Sequence, residues 1–474
     1  MIDFNLNNGS GAGSIAQTNA IAVGENSAAF GVSQGECKED DSYNLALSIT
    51  KGYENTEWFN TDETGSGATE DLVPIEPLTA PEYYKDGTTE KLSVHDITFT
   101  TTGAHGLNSY SEGNETLALG DNSHTEGFNT YAAAANSHVE GTMNVVFGVD
   151  SHSEGARNIS VGQASHTEGM RNTAFGKGSH IEGFKNQTGR KSTWSHIEGE
   201  SNLIKGMASH GEGGGNIIFD DIEVIETTNP DGSTTRTEKN NIAYSHVEGY
   251  NNKVDASKSH AEGEGNILTA EAAHVEGKNN RVKGKYAHGE GFNNTVLGQS
   301  GHVEGASSAI APDTITDADS AVIEYQTASK KFNLALGLGS HSEGYNTLSL
   351  NSGSHSEGKE TIAKGEASHT EGYRTEANAK YSHTEGIGTI ANGNYVHVQG
   401  QYNIPAKMGF ADIVGNGTAD ARSNAYTLKW NGDAHHAGNV YVNSTWSTED
   451  GTTTGGEKLT TESDVWAAIN SLNI

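Results

Sequence analysis

Residues 120–130 read GDNSHTEGFNT. A histidine and a glutamate, His124 and Glu126, stand two positions apart, as they would in a metal site or a proton relay. The same His-x-Glu-Gly tetrad begins again at His138, His152, His166, His180, His196, His210, His246, His260, His274, His288, His302, His341, His355, His369 and His383. Most steps are 14 residues long. Chemistry needs a constellation once or twice per chain. One that appears 16 times is architecture, or a surface built of identical elements. Degenerate copies flank the series: Tyr110 replaces the histidine in SYSEG, and Gln399 replaces the glutamate in VHVQG.

Within SHTEG the side chains should alternate across a short strand, with Ser123, Thr125 and Gly127 on one face and His124 and Glu126 on the other. The middle residue of the motif is small or β-branched in every copy, so that face suits a narrow interior and the His/Glu face points away from it. The second half of each repeat resembles TLALG (116–120) or NISVG (158–162). It opens, six residues after the histidine, on Asn, Thr or Ser. Asn at this place is expected to take left-handed backbone and to bond its own turn. Two short strands and two tight turns then make one 14-residue coil.

Composition agrees. A chain of 474 residues would ordinarily form roughly two to four globular domains. Only 33% is hydrophobic and 60 residues are glycine, which suits thin stacked coils better than a large core. The net charge of −33 stays negative even with all 21 histidines protonated, and no Lys/Arg cluster appears, so neither nucleic acid nor an anionic membrane is an expected partner. No apolar run approaches the roughly 18 residues of a membrane span. Cys37 is the single cysteine, so no intrachain disulfide can form. The opening MIDFNLNNGSG lacks the basic and apolar segments of an export signal.

The first coils lack histidine. IAVGENSAAFG (21–31) aligns without gaps to LALGDNSHTEG (117–127), with Ala28 and Phe30 at the His and Glu positions. Ser27, Ala29 and Gly31 match the S-x-A-x-G pattern, and the stretch resembles the head repeats of trimeric autotransporter adhesins. That resemblance implies a left-handed parallel β-roll wound three to a bundle. Near the other end, IVGNGT, RSNA and the W-x-G-x-x-x-x-A-G element follow in order within 411–442. They resemble a module near the C-termini of tail and baseplate appendage proteins of phages that infect Gram-positive bacteria, where S-H-x-E-G repeats commonly precede it.

The expected fold is therefore all-β: a left-handed parallel β-roll of 14-residue coils, trimeric, with β-hairpin insertions and a small C-terminal β-module. The expected segments are N-terminal coils over 1–35, an insertion over 36–102, β-roll over 103–216, a hairpin over 217–243, β-roll over 244–305, and a second hairpin over 306–332 around AVIEYQTASKKF. β-roll over 333–400, the module over 401–445 with a WNGD turn between strand-like runs 424–430 and 434–442, and a linker with a short helix over 446–474 complete the chain. The helix is expected from Thr461 and Asp464 at its start and an apolar stripe of Val465, Trp466, Ile469 and Leu472.

The ladder, represented by His124 and Glu126, His138 and Glu140, His152 and Glu154, His260 and Glu262, and His369 and Glu371, has three readings. The favoured one is structural, with the pairs hydrogen-bonding along the stack or across subunits. The second is a plain solvated face. The third places three histidines per layer, one from each chain, on a transition metal near the axis. No metal, cofactor or catalytic residue is expected. PDTITDAD (312–319) lacks the glycine and closing glutamate of a calcium loop. GEGGGN (211–216) keeps the repeat register and reads as a turn. His435 and His436 read as ordinary strand residues.

The functional expectation is a structural fibre, spike or appendage of a phage tail or phage-tail-like particle, located in the virion tail or baseplate. Its expected partners are two further copies of itself, other tail or baseplate proteins, and a host cell-surface glycan or protein. Receptor contact is assigned to the 36–102 insertion, where Trp58, Phe59, Tyr83 and Tyr84 gather. The alternatives are a bacterial trimeric surface adhesin, which needs an export signal and an anchor, and a polysaccharide-degrading tailspike, which needs paired carboxylates at glycosidase separation.

Overall fold

A computed structural model describes residues 103–219 and 242–438 in full. Outside them it describes the backbone of the strands Ile15–Ala16, Ala28–Val32, Ile222–Thr228, Thr234–Asn240, Val440–Val442, Thr445–Trp446, Thr453–Thr454 and Glu457–Leu459. The chain divides into two compact units, Met1–Lys278 and Asn279–Ile474. Both are built of stacked parallel coils, each contributing one strand to a sheet that starts on the histidine and one to a second sheet opposite.

Register follows the repeat. In the first unit His152 pairs with His138 on one side and His166 on the other, and Ile159 pairs likewise with Val145 and Thr173. In the second, His355 lies between His341 and His369. The interior is thin. Ala132, Val139 and Val146 are fully buried in one cluster. Elsewhere hydroxyls fill the same places and bond one another: Ser160 Oγ lies 2.8 Å from Thr167 Oγ1, which donates to Ser153 Oγ at 2.9 Å. The glycine that closes each tetrad is required twice over. Gly372 has φ +98°, and a Cβ there would stand 2.2 Å from the carbonyl oxygen of Gly386 in the next coil.

Asparagine six residues after histidine is not left-handed, contrary to expectation. Its side chain turns inward and is saturated by backbone. Asn158 Nδ2 donates to Glu154 O at 2.5 Å and to Gly169 O at 2.9 Å, and its Oδ1 accepts from Asn172 N at 2.8 Å. Where threonine stands instead, as at Thr375, its Oγ1 keeps the bond to the glutamate carbonyl, at 3.1 Å to Glu371 O. The left-handed residues are the one before it, such as Arg157 (φ +60°), and the one two before histidine, such as Trp194 (φ +62°).

Strand Ala28–Val32 pairs in parallel with Tyr110–Asn114, so the first coils meet the roll in the register that the sequence alignment expects. The insertion at 217–243 contains the expected hairpin, Ile222–Thr228 against Thr234–Asn240. The insertion at 306–332 does not form a hairpin. It carries the helix Ala318–Thr327, with Asp317 as N-cap and Ser320 completing a capping box. The correction has a local cause. Asp317 Oδ1 accepts from Ser320 N at 2.8 Å, and Ala321 and Tyr325, four apart, form the buried stripe. Tyr325 packs with Ile315, Phe332, Leu334, Leu348 and Ile362 and donates its hydroxyl to Asn346 O at 2.6 Å.

The C-terminal module is β, as expected. Phe410–Asn416 adds in parallel to the last tetrad strand, His397–Gln401, then pairs antiparallel with Asn424–Lys429, which pairs with Ala434–His436. Ile413 joins Ala391, Val396 and Val398 in a small core. The module thereby covers the sheet edge that the last coil would otherwise leave open. The helix expected near the C-terminus lies outside the described residues.

Candidate functional site

In-register stacking sets each ladder histidine on its equivalent in the next coil. Ring centroids are 4.6 Å apart for His124 and His138, 4.7 Å for His138 and His152, and 4.8 Å for His260 and His274. In the second unit they are 4.7 Å apart for both His341–His355 and His355–His369. The planes are nearly parallel, 1° apart for His341 and His355. The insertions leave the column unbroken: His210 stacks on His246 at 4.8 Å, and His302 on His341 at 4.6 Å. Tyr110, in the degenerate first copy, meets His124 edge-on at 4.9 Å.

The glutamates form a second column beside the first. His196 Nε2 is 3.2 Å from Glu198, and His124 and His152 are each 3.9 Å from the glutamate of their own tetrad. His341 stands 3.6 Å from both Glu343 and Glu304, the glutamate one coil back. His369 approaches Glu357 at 3.3 Å, also one coil back. These contacts fall short of the hydrogen-bonded pairing expected within the stack. The Nε2 atoms of His138, His166, His210, His260, His302 and His355 are closed to solvent and make no hydrogen bond among the described residues. What holds the rings is stacking on their neighbours, while about a third of each paired side chain stays exposed.

The crowding shows in the protonation. Hydrogen-bonding to the neighbouring Glu154 carboxyl pushes Glu140 up to about 6. Hydrogen bonds to Glu304 and Glu357 push Glu343 up to about 7, and one to Glu385 does the same for Glu371. Burial, then repulsion from His138 and His166, holds His152 below the ordinary histidine range, and His355 is lowered in the same way by burial and by His341 and His369.

Donor atoms cluster between coils. In His166, Glu168 and His180, in His180, Glu182 and His196, and in His341, Glu343 and His355, one ligand atom from each residue lies within 4.8 Å of the other two. These groups form within one chain, where sequence reasoning placed a metal only between three chains. The acidic run 312–319 is split among other tasks: Asp313 bridges Arg281 at 2.9 Å and Lys283 at 2.7 Å, Asp317 caps the helix, and Asp319 pairs with Lys364 at 2.6 Å. His435 and His436 are exposed on their strand. Trp58, Phe59, Tyr83 and Tyr84 lie outside the described residues.

Sequence reasoning missed exposed aromatics on the coil corner two residues before histidine: Trp194 and Tyr244 in the first unit, and Tyr286, Tyr381 and Tyr395 in the second, where Tyr381 stacks on Tyr395 at 5.0 Å. The signal is an aromatic residue at a position that elsewhere holds Asn, Asp, Gly, Ala, Ser or Lys. No helix among the described residues is long and apolar enough to cross a membrane. No protein-family model matches the chain, and no curated protein matches it.

Proposed function

We propose that this chain is a structural fibre, spike or appendage protein of a phage tail or phage-tail-like particle, associating as a homotrimer and giving rigid extension and host-surface attachment. The observation that carries the reading is the repetition itself. Coil after coil is joined by main-chain ladders in both sheets, and 16 of them repeat the same His/Glu face. Such a surface serves span and association better than a single catalytic pocket. A face repeated at one-coil spacing within each unit also suits association with further copies along its length.

An antibody to the purified chain should decorate the tail or baseplate of particles from the producing cells, and sedimentation should give three times the chain mass of 49.9 kDa. Decoration of the cell envelope in the absence of particles would favour a surface adhesin, and a compact monomer would end the trimer reading. Receptor contact is proposed for the 36–102 insertion through Trp58, Phe59, Tyr83 and Tyr84. Deleting residues 40–98 should abolish binding to host cells. Unchanged binding by a folded deletion variant moves the contact elsewhere, the corner aromatics being next in line.

A further inference from the structure

We propose that the ladder binds divalent transition-metal ions, each held by two histidines of successive coils and the glutamate between them. Two imidazole nitrogens and one carboxylate oxygen are a donor set suited to zinc, nickel or copper. Calcium and magnesium take oxygen ligands almost throughout, so the same set discriminates against them. The donors are already gathered. In His166, Glu168 and His180 the three ligand atoms lie within 4.8 Å of one another, and the group recurs at His180, Glu182 and His196, at His196, Glu198 and His210, and elsewhere along the column.

Two further observations point the same way. The Nε2 atoms of His166, His210 and His260 are shut off from water yet make no hydrogen bond among the described residues, a costly state that a metal ion resolves. The glutamates repeat at one-coil spacing in a chain of net charge −33, so a divalent cation relieves repulsion that the fold otherwise carries. Lys and Arg do not interrupt the tetrads to do this.

The geometry also limits occupancy. Ligands at 2.0–2.2 Å around a tetrahedral ion stand about 3.4 Å apart, closer than the coil spacing. The His166 and His180 rings are within 15° of parallel, so their lone pairs do not converge until one ring tilts out of the stack. The open outer side of the column leaves room for that tilt. Because His180 and His196 each belong to two groups, neighbouring steps cannot fill together. Ions should occupy alternate steps, at no more than one per two ladder histidines. All donors come from one chain, so the inference does not depend on the proposed trimer.

The test uses the full chain, stripped with chelator and dialysed against zinc, nickel, calcium or magnesium chloride, with bound metal counted by elemental analysis. Several zinc or nickel ions per chain, little calcium or magnesium, and a higher melting temperature with zinc are expected. The triple variant Glu168→Gln, Glu182→Gln, Glu198→Gln keeps every imidazole and the side-chain shape, and should hold at least one ion fewer with an unchanged circular-dichroism spectrum. Fewer than two zinc ions per chain, equal retention of zinc and calcium, or an unchanged count in the triple variant each overturns the proposal.

Discussion

Coils of the second unit wear two different backs on one front. Leu334, Leu348 and Ile362 project from the sheet opposite the histidines and lie buried beneath the helix Ala318–Thr327. In the next two coils the same position holds Glu376 and Ile390, both half-buried, and no helix among the described residues covers them. There, Asn378 Nδ2 donates to Asn392 Oδ1 at 3.0 Å, and a polar ladder replaces the apolar contact. The histidine front does not register the change: ring spacing is 4.7 Å at His355–His369 and at His369–His383. The repeat motif therefore dictates the coil and its front, while the back is free to record what packs on it.

The largest effect should test the indifference of the front. Gly344, in a covered coil, and Gly386, in a bare one, have φ of +102° and +98°, and a Cβ on either would meet the next coil's carbonyl oxygen at 2.2 or 2.0 Å. Alanine at either site should cost about 3 kcal/mol or more, from backbone strain plus overlap. Gly339, at φ +61° with nothing within 4 Å, should lose only about 1 kcal/mol. Denaturant melts of the three variants decide the point. A much milder cost at Gly344 than at Gly386 would show that the helix reaches through to the front.

The back should behave oppositely. Leu348→Ala removes a fully buried side chain from the helix-covered cluster and should cost about 2–5 kcal/mol, whereas Ile390→Ala should cost about 1 kcal/mol or less. Tyr325→Phe isolates a smaller part of the same contact. Its hydroxyl is buried and bonded to Asn346 O, so the loss should be about 1–2 kcal/mol. Equal costs for Leu348→Ala and Ile390→Ala in the same melts would erase the distinction between the two backs.

The same contrast explains what could be read from the sequence. The coil period, the inward hydroxyls, the 222–240 hairpin and the C-terminal strands follow from alternation and turn residues, and the structure has them. The helix was hidden because AVIEY alternates like a strand; the competing signals were the Asp317–Ser320 cap and the spacing of Ala321 and Tyr325. The left-handed positions leave no residue signature in the sequence because their residue types vary. Ladder hydrogen bonds fix them instead, such as Arg157 N to Thr142 O at 2.8 Å and Tyr244 N to Met207 O at 2.9 Å. The His/Glu pair drew attention to bonding between unlike residues, whereas parallel in-register strands place like on like, and imidazole stacks on imidazole.

The smallest expected effect is a pH dependence, and it returns to the front. Glu343, in a covered coil, and Glu371, in a bare one, are both pushed up to about 7 by hydrogen bonds to neighbouring carboxyls. Unfolded, each titrates near 4.5. A carboxyl raised on folding contributes stability that is complete below 4.5 and is lost as pH rises through 7. The histidines run the other way. Burial and then neighbouring imidazoles hold His355 and His383 below 6.5, so their contribution is complete above 6.5 and is lost as pH falls through their folded values. The two sets oppose each other between 4.5 and 6.5, and above that only the carboxyls act. The melting temperature of metal-free protein should therefore fall between pH 6.5 and pH 8.5, and only slightly, because these side chains are screened by solvent. Glu343→Gln and Glu371→Gln should each flatten the fall by similar amounts, since the front is the same under the helix and away from it. A flat profile in the parent protein would remove proton sharing from the glutamate column. A flattening confined to one of the two variants would show that the helix does set the electrostatics of the face it does not touch.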